Sequence, residues 1–176
     1  MHTARSIAGI LYFLSRIAAW LFTLILAYTF TVLLLSTTWL VHSLPIEITK
    51  EGAFTIFYPF AQTPFLLGEY TANYIVSNLS LLGFYTLFLW FLGDVFHAFK
   101  QPKLFTPKGV SQLSRFYRTN LALPVLFLLL VGLFGQALSD MLRISFLHII
   151  IGVFAYFMAS IFRQGLVLQE EQDLTF

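Results

Sequence analysis

From Ile17 to Val41 the chain runs for 25 residues without a formal charge (IAAWLFTLILAYTFTVLLLSTTWLV). About 20 apolar residues cross the hydrocarbon core of a bilayer, so the run reads as a tilted transmembrane helix. Arg5 and Arg16 precede it, as in a secretory leader, but a leader's apolar region is only about 7–15 residues long and ends in a small-residue cleavage site. This run meets neither condition and is read as a retained span. The apolar stretch between Arg5 and Arg16 (SIAGILYFLS) is expected to lie at the membrane interface or to extend the same helix.

The rest of the chain agrees. Apolar residues make up 59% and charged residues 10%, against roughly 25% charged in soluble domains, so lipid must solvate much of this surface. With no Cys among 176 residues, disulfides, thiolate nucleophiles and Cys-ligated metals are excluded together. The net charge of +2 matters less than its placement, because Lys and Arg flanking spans set orientation.

Residues 42–73 leave the membrane and carry Glu47, Glu51 and Glu69 against one Lys50. Two β-branched and aromatic runs around Gly52 predict a small hairpin. Thr63-Pro64 has the form of a helix cap followed by proline at the first helical position, so a second helix is expected from Pro64 to about Phe99. Residues 99–118 with Lys100 hold Lys100, Lys103, Lys108, Arg115 and Arg118 and no acidic residue, half of the ten Lys and Arg in the chain. By the positive-inside rule this loop is cytoplasmic. The acidic hairpin is then outside, and both termini are inside. Thr106-Pro107 repeats the cap-then-proline signal and predicts a third helix, with Pro124 as a point of kinking. Ser139 to Arg143 reads as a short outer connection to a fourth span that exits at Arg163.

The fold class expected is an all-α membrane protein: a four-transmembrane-helix bundle with a small extracytoplasmic β-hairpin between helices 1 and 2. Its spans are approximately 17–41, 74–98, 119–138 and 144–162, in one integral membrane domain with an outer loop 42–73, an inner loop 99–118 and a cytoplasmic tail 163–176.

The tail sequence Glu170-Glu171-Gln172-Asp173-Leu174-Thr175-Phe176, after a last span and Arg163-Gln164-Gly165, together with Phe105-Thr106 opening the helix after the inner loop, resembles small bacterial four-helix membrane proteins of domain-of-unknown-function family 2975. Phe176 stands where that family more often has Ile. The resemblance implies a bacterial cytoplasmic membrane and a cytoplasmic partner of the helix-turn-helix regulator type. It brings no catalytic residue.

Two features are candidate contacts for a partner or for lipid. One is the basic set Lys100, Lys103, Lys108, Arg115 and Arg118; the other is the acidic tail with Glu170, Glu171 and Asp173. The plainer reading of the first is topology plus attraction to anionic lipid, worth about 1 kcal/mol per cation near the surface. The plainer reading of the second is a free flexible tail, with docking on the basic loop or on a partner as alternatives. His42 and His148, at similar depth, invite a haem or, with Asp140, a metal. Helix-end histidines are ordinary interfacial residues, however, and neither a cofactor nor a metal is expected. Asp94 follows an apolar stretch near the inner boundary and is read as interfacial or paired locally with His97, with a proton relay as its functional alternative. Asn78 and Gln136 read as interhelical hydrogen-bonding groups, and Gly132-Leu-Phe-Gly135 as a point of close helix packing.

Nucleophile, phosphate-loop and metalloprotease signatures are absent from the sequence, so the chain is not expected to be an enzyme or to bind nucleic acid directly. The leading expectation is a regulatory or sensory membrane protein that contacts lipid and a cytoplasmic protein, with self-association left open. A small transporter or channel subunit, and a haem- or quinone-binding redox protein, are the alternatives.

Overall fold

The computed structural model describes residues 2–38, 43–134 and 138–173. It is mostly helical, with a small antiparallel sheet inserted after the first helix. In chain order the elements are α1 (His2–Leu35), β1 (Ile46–Ile48), β2 (Ala53–Phe57), β3 (Pro64–Glu69), α2 (Ala72–Lys100), α3 (Pro107–Phe134) and α4 (Leu138–Asp173). Three of the helices, α1, α2 and α4, are long and apolar enough to cross a membrane. At 1.5 Å per residue they are about 51, 44 and 54 Å long, each longer than a hydrocarbon core of about 30 Å.

Helix α1 absorbs the apolar segment before Arg16 and starts at His2, well before the expected Ile17. The helix ends at Leu35, short of the expected Val41; Ser36 N still donates to Val32 O at 2.9 Å, and three successive hydroxyls then turn back onto the last carbonyls. Ser36 Oγ donates to Leu33 O, Thr37 Oγ1 to Leu34 O and Thr38 Oγ1 to Leu35 O, at 2.6–2.7 Å. Leu34 O and Leu35 O also accept from Thr37 N and Thr38 N, so it is Leu33 O that depends on a hydroxyl, that of Ser36, at this helix end. The remainder of the expected span, 39–41, and His42 lie outside the described residues.

The insertion after α1 has three strands in the order β1-β2-β3, one more than the expected hairpin. β1 and β2 pair as foreseen, with Ile46 opposite Ile56 and Ile48 opposite Phe54 around a turn where Gly52 takes φ +80°. The third strand overturns the expected helix start at Pro64. Residues 64–69 pair with the free edge of β2, Ala53 opposite Glu69 and Leu66 opposite Ile56. A proline is tolerated as the first residue of an edge strand, and pairing satisfies backbone groups that a helix start would leave open. The helix begins eight residues later, with Thr71 as its cap: its side chain accepts from Tyr74 N at 3.3 Å.

Alternation along β2 buries Phe54 and Ile56, at 1% and 0% exposure. They pack with Ile46 against Val32 and Leu33 of α1 and beside Tyr74, Ile75 and Leu79 of α2. The sheet is thus seated on the ends of two helices.

Helix α3 starts where Thr106-Pro107 predicts, with Thr106 Oγ1 accepting from Gly109 N at 3.0 Å. It continues through Pro124, which is fully buried. Helix α4 is longer than its expected span at both ends. Ser139 to Arg143 belong to the helix rather than to a loop; residues 135–137, with Gly135 and Gln136, lie outside the described residues. At the other end the tail is helical to Asp173 rather than a flexible segment, and the last residues of the tail motif, 174–176, lie outside the described residues.

Each helix packs on its neighbour in sequence: α1 on α2, α2 on α3 and α3 on α4. The second core joins α2, α3 and α4 through Val95, Ala98, Leu113, Phe116, Ala155, Ala159 and Phe162. Close approach of α4 to α3 occurs at Gly152, where an added Cβ would lie 2.9 Å from the Leu121 side chain and 3.3 Å from the Asn120 backbone. Gly132, the expected packing glycine, faces open space instead. The ring of Phe105 lies against Gly165 and makes an edge contact with Phe162, 5.5 Å between centroids. Two sequence-distant segments, Phe105-Thr106 and Arg163-Gln164-Gly165, therefore meet at the base of α3.

Candidate functional site

Charged side chains from three helices meet where α1, α2 and α3 come together at the end of the bundle remote from the sheet. Each helix supplies one stripe: Tyr12 and Arg16 from α1, Asp94 and His97 from α2, and Lys108, Ser111, Gln112 and Arg115 from α3. Spacings of three and four residues put each set on one helical face. Together they line a crevice of about 300 Å³.

Arg16 is its anchor. Nη2 donates to Asp94 Oδ1 at 2.5 Å and Nη1 to the Trp90 carbonyl at 3.1 Å. The guanidinium also lies 4.7 Å from the Trp90 ring centroid and 5.3 Å from that of Tyr12. Both members of the ion pair are about four-fifths buried, at 21% and 19% side-chain exposure, where an unpaired charge is costly. The approach depends on Gly93: a Cβ there would sit 3.2 Å from Arg16 Nε.

Asp94 therefore pairs across to α1, not with His97 on its own helix as expected. Its second oxygen lies 3.8 Å from Arg115 Nη1. His97 is held instead by amides, Gln101 Nε2 at 3.1 Å and Gln112 Nε2 at 3.4 Å.

The five basic candidates of the sequence separate. Lys108 and Arg115 line the crevice. Lys100 lies beside it, with Nζ 3.8 Å from the Tyr12 ring centroid. Lys103 and Arg118 are exposed and outside it, Arg118 in a neighbouring hollow with Ser111, Ser114, Arg115 and Thr119. In the tail, Glu170 and Glu171 are exposed on the last turns of α4, and Asp173 is the residue that closes the helix. Arg16 was missed as a site residue because it was read only as a topology marker. The signal was available: a cation and an otherwise unexplained Asp94 sit at the start of one apolar run and the end of the next, which adjacent antiparallel helices bring to the same level.

His148 is enclosed by aromatic side chains. It is 2% exposed, with ring centroids of Phe84, Tyr85 and Phe88 at 4.4, 5.7 and 4.9 Å. Asn120 Nδ2 donates to Phe116 O, which leaves Oδ1 to accept from His148 Nδ1–H at 2.9 Å. That bond fixes the tautomer. Its proposed companion, His42, lies outside the described residues, and among the described residues no three His, Asp or Glu side chains form a metal-holding group.

At the sheet end, Tyr28, Leu44, Pro45 and the β2–β3 turn, 58–62, line a wider hollow of about 570 Å³. Phe60 at the tip of that turn is fully exposed and takes φ +64°. It occupies the third position of a turn closed by Ala61 N donating to Tyr58 O at 3.1 Å. A left-handed conformation at a bulky residue costs roughly 1–2 kcal/mol, and such outliers cluster where a surface is used.

No family model matches this sequence, and no curated protein or solved structure matches it.

Proposed function

We propose that the chain is a four-span protein of the bacterial cytoplasmic membrane, with both termini inside, that relays a signal from its outer sheet to a cytoplasmic partner and is not an enzyme. One observation carries the reading: α1 and α2 together grip the sheet at one end and build the charged crevice at the other. Anything that shifts the sheet must slide α1 against α2, and the Arg16–Asp94 pair lies on that seam. The exposed, strained Phe60 beside a hollow supplies an outer contact surface.

In this reading the half of α3 before the apolar stretch stands in the cytoplasm, and Lys103, Arg118 and the acidic turns of α4 form the surface offered to a partner. The family resemblance makes a helix-turn-helix regulator the expected partner class. The fourth crossing falls to the apolar half of α3, which is the natural return path for a helix packed between α2 and α4.

The absence of native cysteine makes the test direct. Single cysteines at Glu51, Lys103 and Glu171 are labelled from one side or the other of intact cells by a membrane-impermeant maleimide; the expected pattern is Glu51 outside and the other two inside. Photo-crosslinkers at Lys103 and Glu171 in native membranes should then trap one cytoplasmic protein reproducibly. Correct sidedness with no crosslinked protein would defeat the regulatory reading while leaving the topology intact.

A further inference from the structure

The crevice has an excess of positive charge that its own carboxylate does not balance. Arg16, Lys108 and Arg115 line it against Asp94 alone. Asp94 is committed to Arg16, and its other oxygen stands 3.8 Å from Arg115, beyond hydrogen-bond reach. Lys108 lies in the first turn of α3, where the helix dipole adds further positive potential. Between the two cations on the same face are the Ser111 hydroxyl and the Gln112 amide, both neutral donors.

We propose that this crevice binds a phosphate ester, with Lys108 and Arg115 as its charged contacts, Ser111 as a neutral donor and the Arg16–Asp94 pair as its floor. Several features support an anionic guest over a solvated basic surface. Lys108 and Arg115 of α3 share one concavity with Arg16 of α1, and do not stand on a convex face. The volume of about 300 Å³ is at the lower end of ligand pockets and suits a headgroup. Asp94 does not repel the guest strongly, because Arg16 compensates it at 2.5 Å; it also keeps Arg115 at the rim.

Depth identifies the source. The crevice lies level with the inner ends of the apolar stretches of α1 and α2, and Phe13 and Ile17, each one position after a lining residue of α1, are exposed apolar side chains. A phospholipid could place its phosphate in the crevice and its acyl chains along that surface, whereas a soluble phosphate gains nothing from it. The source is therefore an acidic phospholipid. This part rests on the membrane reading above and not on the regulatory one.

The test uses the full chain purified in a neutral detergent. Native mass spectrometry and thermal unfolding are measured with phosphatidic acid, phosphatidylglycerol, phosphatidylcholine or inorganic phosphate. The expected result is one acidic lipid retained in preference to phosphatidylcholine, with a raised unfolding midpoint. Lys108→Gln and Arg115→Gln should each weaken retention roughly tenfold, the loss of one charge-assisted contact. Lys103→Gln removes the same charge outside the crevice and should change it by less than about twofold. Lys108 and Arg115 are exposed, so unchanged unfolding midpoints without lipid verify that both variants fold. Equal retention of acidic and zwitterionic lipid, or equal loss in Lys103→Gln, overturns the site. Crevice-dependent binding of inorganic phosphate without lipid selectivity retains the phosphate chemistry and overturns the lipid source. Because binding is measured in detergent, failure of the cysteine-labelling topology would not itself erase a crevice-dependent result.

Discussion

The two ends of the seam between helices α1 and α2 are held by opposite chemistries. At the sheet end the seam is neutral and dry: Phe54 and Ile56 are buried against both helices, Tyr28 Oη donates to Phe57 O at 2.5 Å, and Ser36 and Tyr70 hydroxyls meet at 2.9 Å. At the other end the seam is charged, with Arg16 between Asp94, Trp90 and Tyr12. An apolar seam depends on shape and is nearly indifferent to salt. A charged seam that borders a crevice responds to any ion that enters it. The difference assigns rigidity to one end and responsiveness to the other.

Removing the plug of the neutral seam is the largest break. Phe54→Ala deletes a ring that is 1% exposed and in edge contact with Tyr70 and Tyr74 at 6.3 and 6.0 Å. A cost of about 3–5 kcal/mol is expected, read as loss of equilibrium stability in detergent, with acidic-lipid retention at the crevice also altered at temperatures where the protein is folded. Unchanged retention in the folded variant would show that the two ends act separately and would defeat the relay.

At the charged seam, Asp94→Asn keeps the shape and removes the charge, leaving the Arg16 guanidinium with a neutral amide oxygen, the Trp90 carbonyl and two rings. A cost of about 1.5–3 kcal/mol is expected, larger at low ionic strength than at high. A double-mutant cycle with Arg16→Gln measures the coupling. If Phe54→Ala showed the same salt dependence, the division into neutral and charged ends would fail. Gly93→Val probes the same seam sterically, because its side chain must enter the space beside Arg16 Nε. About 1–3 kcal/mol is expected, and Trp90 fluorescence should change as the cation is displaced from its ring.

The uncharged run from Ile17, the cap at Thr106 and the hairpin around Gly52 were legible because each depends on residues close in sequence. What was not legible depended on partners far away. Residues 64–69 carry a helix-start signal, and only the unpaired edge of β2 makes them a strand. Asp94 and His97 are one turn apart and look like a pair, yet Arg16, 78 positions away, takes the carboxylate. Likewise Lys103 and Lys108 are equivalent as loop cations in the sequence; the fold of α3 alone puts one in the crevice and leaves the other outside. The tail motif around Glu170 gave no sign of helix because its composition suits solvent, whereas Gly165 under the Phe105 ring holds α4 against the base of α3 and lets the helix continue.

The smallest expected effect is the sharpest control on the comparison. Ser36 Oγ–H donates to Leu33 O at 2.7 Å, so in the contact with Tyr70 it is the tyrosine that donates and Ser36 that accepts. Tyr70→Phe removes that donor but leaves the Ser36 proton satisfied and the ring contact with Phe54 in place. The cost should be near the low end of about 0.5–1.5 kcal/mol for a neutral hydrogen bond, and the same at low and high ionic strength. Ser36→Ala should cost more than Tyr70→Phe, since it also strips a helix-end carbonyl of its partner and leaves the tyrosine hydroxyl without an acceptor. Equal costs would mean that the interhelix contact, and not the turn-back of the hydroxyl onto α1, is what Ser36 contributes, and the sheet end would then be held less by the ending of α1 than by its grip on β3 and α2.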